Sequence, residues 1–154
     1  MGKINIGRVL LGGIIAGIVG DILGYLVDGV MLAQRWAFAL KQLGKPEFSV
    51  NQILMFTAIG LVYGILTIWL YAAMRPRFGA GLKTAIYAGL AVWAIGALLP
   101  NAGFWVAGML PRGLTVFTTA GAIIESTVAA LAGAALYKKE DAGTGAPQSR
   151  AARA

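Results

Sequence analysis

The sequence predicts an all-α integral membrane protein: a four-helix bundle with an amphipathic helix at its outer interface. Two observations predict this class. First, 58% of the 154 residues are hydrophobic and 12% are charged, with a mean hydropathy of +0.76, whereas soluble domains are about 45 to 50% apolar and about 25% charged. Second, four runs each approach the roughly 20 apolar residues that a helix needs to cross a bilayer. The alternation typical of a membrane β-barrel is absent from the sequence, so the spans are predicted to be helical.

The four predicted spans make up one transmembrane domain, residues 1–137. Residues 138–154 are small, polar and charged, which predicts a disordered cytoplasmic tail. The first run follows basic residues, as a signal peptide does. However, Asp21 interrupts it and no small-x-small cleavage site follows, so we expect an uncleaved first helix. The predicted spans are residues 6–27, 52–74, 82–99 and 114–137.

The segment between the first two spans, residues 29–44, is too polar to cross the membrane and is predicted to be an amphipathic interfacial helix. Gly44 and Pro46 are expected to end it. Ser49 and Gln52 have the spacing of a capping box that opens the second span. The apolar stripe of the amphipathic segment is Leu32, Trp36, Leu40 and Leu43.

A second connection, PNAGFWVAGMLPRG, joins the third and fourth spans on the same side of the membrane. Its aromatic residues, Phe104 and Trp105, suit the membrane interface, where aromatic rings are enriched. Its two prolines, Pro100 and Pro111, lack the backbone N–H that a helix uses. We therefore expect this connection not to form a continuous helix.

The basic residues predict the orientation of the bundle. Of the 13 Lys and Arg residues, nine lie on the side of the two termini and four lie on the other side. Cytoplasmic loops carry the excess of basic residues, so both termini are predicted to be cytoplasmic in a bacterial inner membrane. Arg75 and Arg77, in the RPRFGAG turn, are expected to contact lipid head groups. The net charge of +7 then has a sufficient explanation without a nucleic-acid partner.

Three of the six acidic residues lie in or beside the spans. Counted along the helices, Asp21 and Glu125 reach nearly the same depth, about 20 Å and about 18 Å from the inner surface. Because a carboxylate inside a bilayer costs about 2.5 to 3.5 kcal/mol, we expect both to be at least partly protonated at neutral pH. Asp28 falls at the outer boundary, where it is expected to be ionised.

Three interpretations of Asp21 and Glu125 remain open: neutral groups that hold the bundle together, an ion or proton site, or a contact with a partner subunit. The first needs hydrogen-bond partners. Hydroxyls that could supply them are Thr118, Thr119, Ser126 and Thr127 near Glu125, and Tyr25, Tyr63, Thr67 or Tyr87 from other spans.

Glycines recur at helical spacing along three of the spans, so they form small-residue faces. Such faces let membrane helices approach closely enough for van der Waals contact between backbones. The faces predict a compact bundle. Their glycines are Gly13, Gly17, Gly20 and Gly24 in the first span, Gly60 and Gly64 in the second, and Gly121 and Gly133 in the fourth.

The chain contains no cysteine and no histidine, which excludes thiolate nucleophiles, disulfides and imidazole ligands for a metal or haem. It also lacks a phosphate loop, a nucleotide fingerprint and a metal-ligand cluster. These absences argue against an enzyme, a metal site and a bound cofactor. The favoured function is a non-catalytic accessory or structural subunit, in a homo-oligomer or a larger membrane complex. The alternative is a small proton- or cation-coupled transporter or channel that uses Asp21 and Glu125.

The chain resembles a group of small bacterial inner-membrane proteins with four spans, of the domain-of-unknown-function type. The resemblance covers most of residues 8 to 137 and implies the four-span fold but no activity. It is carried by RVLLGGIIAGIV, GVMLAQRWAFALKQLGKP, WLYAAMRPRFGAGLKTAIYAGLAVWAIGALLP and ESTVAALAGAALY.

Overall fold

The computed structural model describes the backbone of residues 4–143 and the side chains of residues 4–137. The described part of the chain is helical apart from short turns and contains no strand, which confirms the all-α class. Four helices are long and apolar enough to cross a membrane, which confirms a multi-pass membrane protein. They are Ile6–Met31, Val50–Phe78, Leu82–Val106 and Arg112–Tyr137.

Two of the four spans combine α-helical and π-helical segments. The first consists of α1 and a first π-helical segment; the third consists of α4, a second π-helical segment and α5. The elements in chain order are α1 (Ile6–Gly24), the first π-helical segment (Tyr25–Met31), α2 (Ala33–Gln42), α3 (Val50–Phe78), α4 (Leu82–Trp93), the second π-helical segment (Ala94–Leu98), α5 (Leu99–Val106) and α6 (Arg112–Gly143). We call the end of the bundle that carries Ile6 the terminal side and the opposite end the α2 side.

The last helix passes the predicted boundary between membrane domain and tail. α6 continues to Gly143, so residues 138–143, predicted as part of the disordered tail, are helical. The remainder of that predicted tail, residues 144–154, lies outside the described residues.

The expectation that PNAGFWVAGMLPRG forms no continuous helix is wrong for its first half. The helix that begins at Leu82 continues through Pro100 and ends at Val106. Proline disrupts a regular α-helix because it cannot pair with the carbonyl four residues back. Pro100 directly follows the second π-helical segment, where hydrogen bonds reach five residues back and the regular ladder is already interrupted. The chain turns only further on, where Gly108 has a φ of 64° and Pro111 precedes α6.

The predicted helix boundaries around α2 are confirmed. α2 ends at Gln42, and Gly44 follows with a φ of 64°. The capping box forms at the start of α3: the Gln52 backbone N–H donates to Ser49 Oγ over 3.4 Å, and the Ser49 backbone N–H donates to Gln52 Oε1 over 2.9 Å. The interfacial segment is helical over fewer residues than 29–44, because the first π-helical segment occupies its beginning.

The amphipathic face of α2 differs by one residue from the predicted stripe. Leu32 and Ala39 are buried against Leu114 of α6, whereas Leu43 is 45% exposed. Leu43 lies beyond the last residue of α2, where the chain turns away from the bundle. α2 therefore packs its apolar face on the α2 side of the bundle and leaves its charged face to solvent.

The buried core lies in the terminal half of the bundle, where α1 packs between α3 and α6, and α6 also packs against α4. Most of its members are small, which suits close helix packing in lipid. The guanidinium of Arg75 lies 5.0 Å from the centre of the Tyr137 ring and covers the core at this end. The core cluster consists of Val9, Ala16, Ile68, Tyr71, Ala72, Ala85, Ala88, Ala129, Ala134 and Tyr137.

Four of the predicted packing glycines allow helix backbones to touch. A Cβ added at Gly13 would lie 2.5 Å from Ile65 Cα, and one added at Gly64 would collide with the backbones of Gly13 and Gly17. On the other side of α1, a Cβ at Gly133 would lie 2.5 Å from the carbonyl oxygen of Gly12, a residue outside the predicted set. The glycine faces therefore hold α1 against α3 and α6 within one chain.

The α2 half of the bundle is more open than the terminal half. Every residue of α3 from Val50 to Ile59 is exposed, and the helix first becomes buried at Gly64. α3 thus contacts α1 closely only along its second half, since Gly60, Leu61, Gly64 and Ile65 supply the close approaches. The space that opens between the helices on the α2 side contains the candidate site.

A candidate cation site in the membrane-spanning bundle

A cavity of about 1000 Å³ occupies the open half of the bundle. Its walls come from α1 and the first π-helical segment, α3, the end of α4 with the second π-helical segment, and α6. α2 and the connection to α3 lie at its α2 end, where Trp36, Ala37 and Phe48 contribute. All three membrane acids singled out in the sequence line this one cavity: Asp21, Asp28 and Glu125.

Asp21 is positioned by the crossing of α1 and α3. Its carboxyl group packs directly against the backbone of Gly60, so closely that a Cβ at Gly60 would collide with Asp21 Oδ1. The other carboxyl oxygen, Oδ2, is buried and has no hydrogen-bond partner. Gly60 therefore serves to make room for a carboxyl group rather than for a neighbouring backbone.

Glu125 occupies a similar position on the opposite wall. A Cβ at Gly24 would lie 3.5 Å from Glu125 Oε2, and a Cβ at Gly121 would lie 3.5 Å from Glu125 Oε1. The carboxyl group thus lies between two glycines, one on α1 and one on α6. Its Oε1 atom is buried without a hydrogen-bond partner. Both Cβ distances are ordinary van der Waals contacts. The tightest neighbour of a Cβ at Gly121 would be Val27 Cγ1, at 2.7 Å, so Gly121 serves to pack α6 against the first π-helical segment.

Asp21 and Glu125 reach a similar depth. Glu125 lies within one residue of the midpoint of the span Arg112–Tyr137, and Asp21 lies about two residues past the midpoint of Ile6–Met31. At 1.5 Å per residue, this offset places Asp21 about 4 Å nearer the α2 side. The two deep acids therefore face one cavity at nearly one level, as the sequence-based depths predict.

Asp28 lies nearer the α2 side, three residues before the end of the first span. Unlike the deeper acids it has a partner: Trp36 Nε1 donates a hydrogen bond to Asp28 Oδ1 over 3.0 Å. It is also close enough to Glu125 for the two carboxyl groups to interact electrostatically. Asp28 consequently belongs to the same cavity as the deep pair and links that cavity to α2.

Four of the hydroxyls that could have neutralised the deep acids bond elsewhere, whereas Thr127 Oγ1 is buried without a hydrogen-bond partner. Thr67 donates to the carbonyl of Tyr63, Thr118 to that of Leu114, and Thr119 to that of Thr115, over 2.6 to 3.0 Å. Ser126 donates to the carbonyl of Ile123. These are bonds to the preceding turn of the same helix, an alternative that Ser and Thr commonly take in membrane helices. These four hydroxyls therefore donate to their own helices rather than to Asp21 or Glu125.

No Lys or Arg side chain is among the residues that line the cavity. A fourth acid, Glu47, lies at its α2 end. The sequence did not single out Glu47, because only the return of the chain from α2 to α3 brings it near the membrane acids. Within the described part of the chain, no three acidic side chains come together closely enough to hold a metal ion. The cavity has an excess of carboxyl groups without an internal counter-charge.

Aromatic side chains form much of the remaining wall. Trp93 is held by a hydrogen bond from its Nε1 to the carbonyl of Thr119 over 2.9 Å. Near the α2 end, Phe48 packs edge-to-face with Trp36 and with Phe56, with ring centres 5.9 and 5.5 Å apart. The sequence analysis placed only Trp36 in the amphipathic stripe and named Tyr25 and Tyr63 for their hydroxyls, since nothing in the spacing of the rings marks a shared cavity. The aromatic lining consists of Tyr25, Trp36, Phe48, Phe56, Tyr63 and Trp93.

Both π-helical segments of the described chain line the cavity. The first contributes Tyr25, Asp28 and Gly29, and the second contributes Gly96 and Ala97. π-helical turns are rare and occur mostly at functional sites, where they shift side chains relative to the regular helix. In the first segment the shift places Asp28 within reach of Trp36. The distortions of the two helices therefore coincide with the acids and rings of the site.

The predicted lipid-contact residues lie at the opposite end of the molecule. Arg75 is half-buried over the rings of Tyr71 and Tyr137, and Arg77 is exposed in the last turn of α3. Neither belongs to the cavity. Gly20 also differs from its predicted role, because a Cβ there would only touch the Cβ of Ala129, at 3.7 Å.

No family model, curated protein or solved structure matches this chain.

Proposed function

We propose that this protein is a small transporter of a bacterial inner membrane that binds a cation in exchange for protons carried by Asp21 and Glu125. One observation carries the proposal: three membrane acids converge on one cavity, and no Lys or Arg is among the described residues that line it. Ionisable groups inside membrane proteins commonly mark ion pathways and proton relays. A cation supplied from outside the chain would provide the missing counter-charge, and protons would do so in its absence.

The unpartnered oxygens favour this proposal over a purely structural role. A buried polar atom without a hydrogen bond costs about 1 to 3 kcal/mol, and the chain carries this cost at both Asp21 Oδ2 and Glu125 Oε1. Structural acids would be expected to bond to the neighbouring hydroxyls, but four of these bond to their own helices instead: Thr67, Thr118, Thr119 and Ser126. A site that must bind and release a ligand needs such available atoms.

The glycine contacts weaken the main support for an accessory subunit. That hypothesis relied on small-residue faces that could pack against a partner, but Gly13, Gly17, Gly64 and Gly133 contact other helices of the same chain. One observation still favours the accessory role: the first half of α3, residues 50–59, is exposed on every side. We keep it as the second candidate, with residues 50–59 as the surface that would contact a homo-oligomer partner or a larger membrane complex.

The proposed orientation places the terminal side of the bundle, with both chain termini, in the cytoplasm. Gly79, in the turn between α3 and α4, is a suitable insertion point because a Cβ there would meet nothing within 4 Å. We expect reporter fusions after Gly79 and at the C-terminus both to give cytoplasmic signals, since this side carries most basic residues. A periplasmic signal from either fusion would contradict the orientation.

The proposed exchange is testable by proton release. Purified protein in detergent, in weakly buffered solution at neutral pH with a pH-sensitive dye, is titrated with NaCl, KCl or tetraphenylphosphonium chloride. We expect at least one of these cations to release protons from the protein, because cation and proton compete for the same carboxyl groups. The isosteric variants Asp21→Asn and Glu125→Gln should each reduce the release.

Glu140→Gln is the matched control: Glu140 follows Glu125 along α6 by about 22 Å, at 1.5 Å per residue, and its replacement should leave proton release unchanged. Two results would contradict the proposal. One is the absence of proton release with all three cations. The other is an equal release from the parent, Asp21→Asn and Glu125→Gln proteins, which would show that protons leave from other groups.

A further inference from the structure

Resting on the proposed function, we infer that the cavity binds a lipophilic organic cation: an ammonium or phosphonium group that carries aromatic or alkyl substituents. The acids alone leave the class of cation open, since a proton, a metal ion and an organic cation would all be attracted to carboxyl groups. The volume of the cavity, the side chains that line it and the number of acidic ligands it offers distinguish among these classes.

The volume of the cavity favours a molecule over a bare ion. Small-molecule pockets typically enclose about 300 to 1000 Å³, and this cavity, at about 1000 Å³, lies at the upper end of that range. A water molecule accounts for only about 30 Å³ of liquid, so a metal ion with its first water shell would leave most of the space unfilled. The cavity is large enough for an organic ion with several ring or alkyl groups.

The lining favours a cation with an apolar surface. Binding sites for small organic molecules are mostly apolar, with a few polar groups that fix orientation, and here six aromatic side chains accompany the acids. A cation within about 6 Å of the centre of an aromatic ring is attracted to the ring face, and aromatic cages are the usual receptors for quaternary ammonium groups. A strongly hydrated inorganic ion would lose its water shell against these walls without replacement.

The number and arrangement of the acids also disfavour a metal ion. A hard cation such as Ca²⁺ takes six to eight oxygen ligands. Among the described residues no three acidic side chains form a metal-binding group. Asp21 instead packs against Gly60 of α3, whereas Glu125 lies on α6 beside Gly24 of α1. Acids on separate walls suit a bulky cation that lies between them.

The positions of two rings make them specific candidates for contact with the cation. Trp93 is fixed by its bond to the Thr119 carbonyl. Tyr63 is fixed by close packing on Gly96, where a Cβ would lie 2.8 Å from the ring. Tyr63 lies on α3 and Trp93 on α4, and both line the same cavity as Asp21. Rings held in place in this way provide a preorganised surface, which lowers the entropic cost of binding.

The test is the binding of labelled tetraphenylphosphonium to the full-length protein in detergent, measured by equilibrium dialysis against protein-free micelles. Tetraphenylborate, of similar size but negative, is the comparison probe. We expect saturable binding of tetraphenylphosphonium and none of tetraphenylborate. Glu125→Gln and Asp21→Asn should each weaken binding about tenfold or more, because each removes a desolvated countercharge.

The aromatic residues are tested with paired variants. Trp93→Leu and Tyr63→Leu should each weaken binding about 2- to 30-fold, the range expected for the loss of one cation–π contact. Tyr63→Phe keeps the ring and should bind like the parent. Trp105→Leu, on α5 and outside the cavity lining, is the control for replacing a tryptophan. Thermal melting of each variant shows that it is folded.

The outcomes separate this inference from the proposed function. If Na⁺ or K⁺ releases protons but tetraphenylphosphonium neither binds nor releases them, the exchange function stands and the organic-cation class is wrong. If no cation releases protons, the proposed function itself fails. Equal binding of tetraphenylborate and tetraphenylphosphonium would show an apolar cavity without charge selection and would overturn the inference. So would tetraphenylphosphonium binding that is unchanged in Glu125→Gln and Asp21→Asn.

Discussion

Gly64→Ala is expected to destabilise the bundle by about 3 kcal/mol or more, near the upper end of the usual cost of overpacking. A methyl group at this position would collide with the backbones of Gly13 and Gly17. A backbone cannot move aside as a flexible side chain can, so α1 and α3 would have to separate along their whole contact. Thermal unfolding in detergent, followed by circular dichroism, measures the effect.

Gly20→Ala is the matched control for that variant. Gly20 lies on α1, one turn after Gly17, whose backbone faces Gly64 of α3, but a Cβ at Gly20 would meet only the Cβ of Ala129, at 3.7 Å. This is ordinary van der Waals contact. Alanine is also the better helix former by about 1 kcal/mol, so Gly20→Ala should be neutral or slightly stabilising. If both variants unfold like the parent, α1 and α3 do not meet at Gly64 as described.

The sequence predicted the number of spans and the starts of the spans because each depends on local chemistry, whereas the first three helices continue past their predicted ends, to Met31, Phe78 and Val106. Apolar length identified the helices. Gly44 and the Ser49–Gln52 capping box act within a few residues of the boundaries they set. The continuous helix through Pro100 could not be predicted in the same way. It depends on the second π-helical segment, and neither its register nor the contacts that stabilise it can be read from a hydrophobic run.

The packing roles of the glycines were likewise only partly predictable from the sequence. Helical spacing correctly grouped Gly13, Gly17 and Gly64 as small faces, because that spacing is a property of one helix. It could not show which glycines meet a backbone and which meet a side chain. Gly60 makes room for the carboxyl group of Asp21, a role that depends on how α1 and α3 cross. Helix crossing is set by long-range packing rather than by local sequence.

The acids of the candidate site were identifiable from the sequence because a carboxyl group in an apolar run is conspicuous. Their depths could also be estimated, since they follow from 1.5 Å per residue. The cavity itself could not. It exists because the first half of α3 leaves the bundle, and because the chain after α2 brings Phe48 and Glu47 to the opening. Neither feature has a sequence pattern, so the aromatic walls were not recognised as a group.

The second large effect is expected in transport. Parent protein is reconstituted into vesicles with an acidic interior and a trapped pH-sensitive dye, and the membrane potential is held at zero with potassium and valinomycin. External Na⁺ or tetraphenylphosphonium should then raise the internal pH, because each cation that enters through the protein displaces protons. Passive entry of the probe does not move protons under this clamp, so the pH change reports exchange.

Glu125→Gln and Asp21→Asn should each reduce this exchange to the rate of protein-free vesicles. The amides keep the size and polarity of the acids but carry no exchangeable charge, so the fold should lose only about 1 kcal/mol, the usual range for one membrane hydrogen bond. Glu140→Gln should exchange like the parent. Variants that fold normally and still exchange protons at the parent rate would show that Asp21 and Glu125 are not the carriers. Variants that fail to fold would support a structural role for the acids, because a transport site alone does not require the charge for assembly.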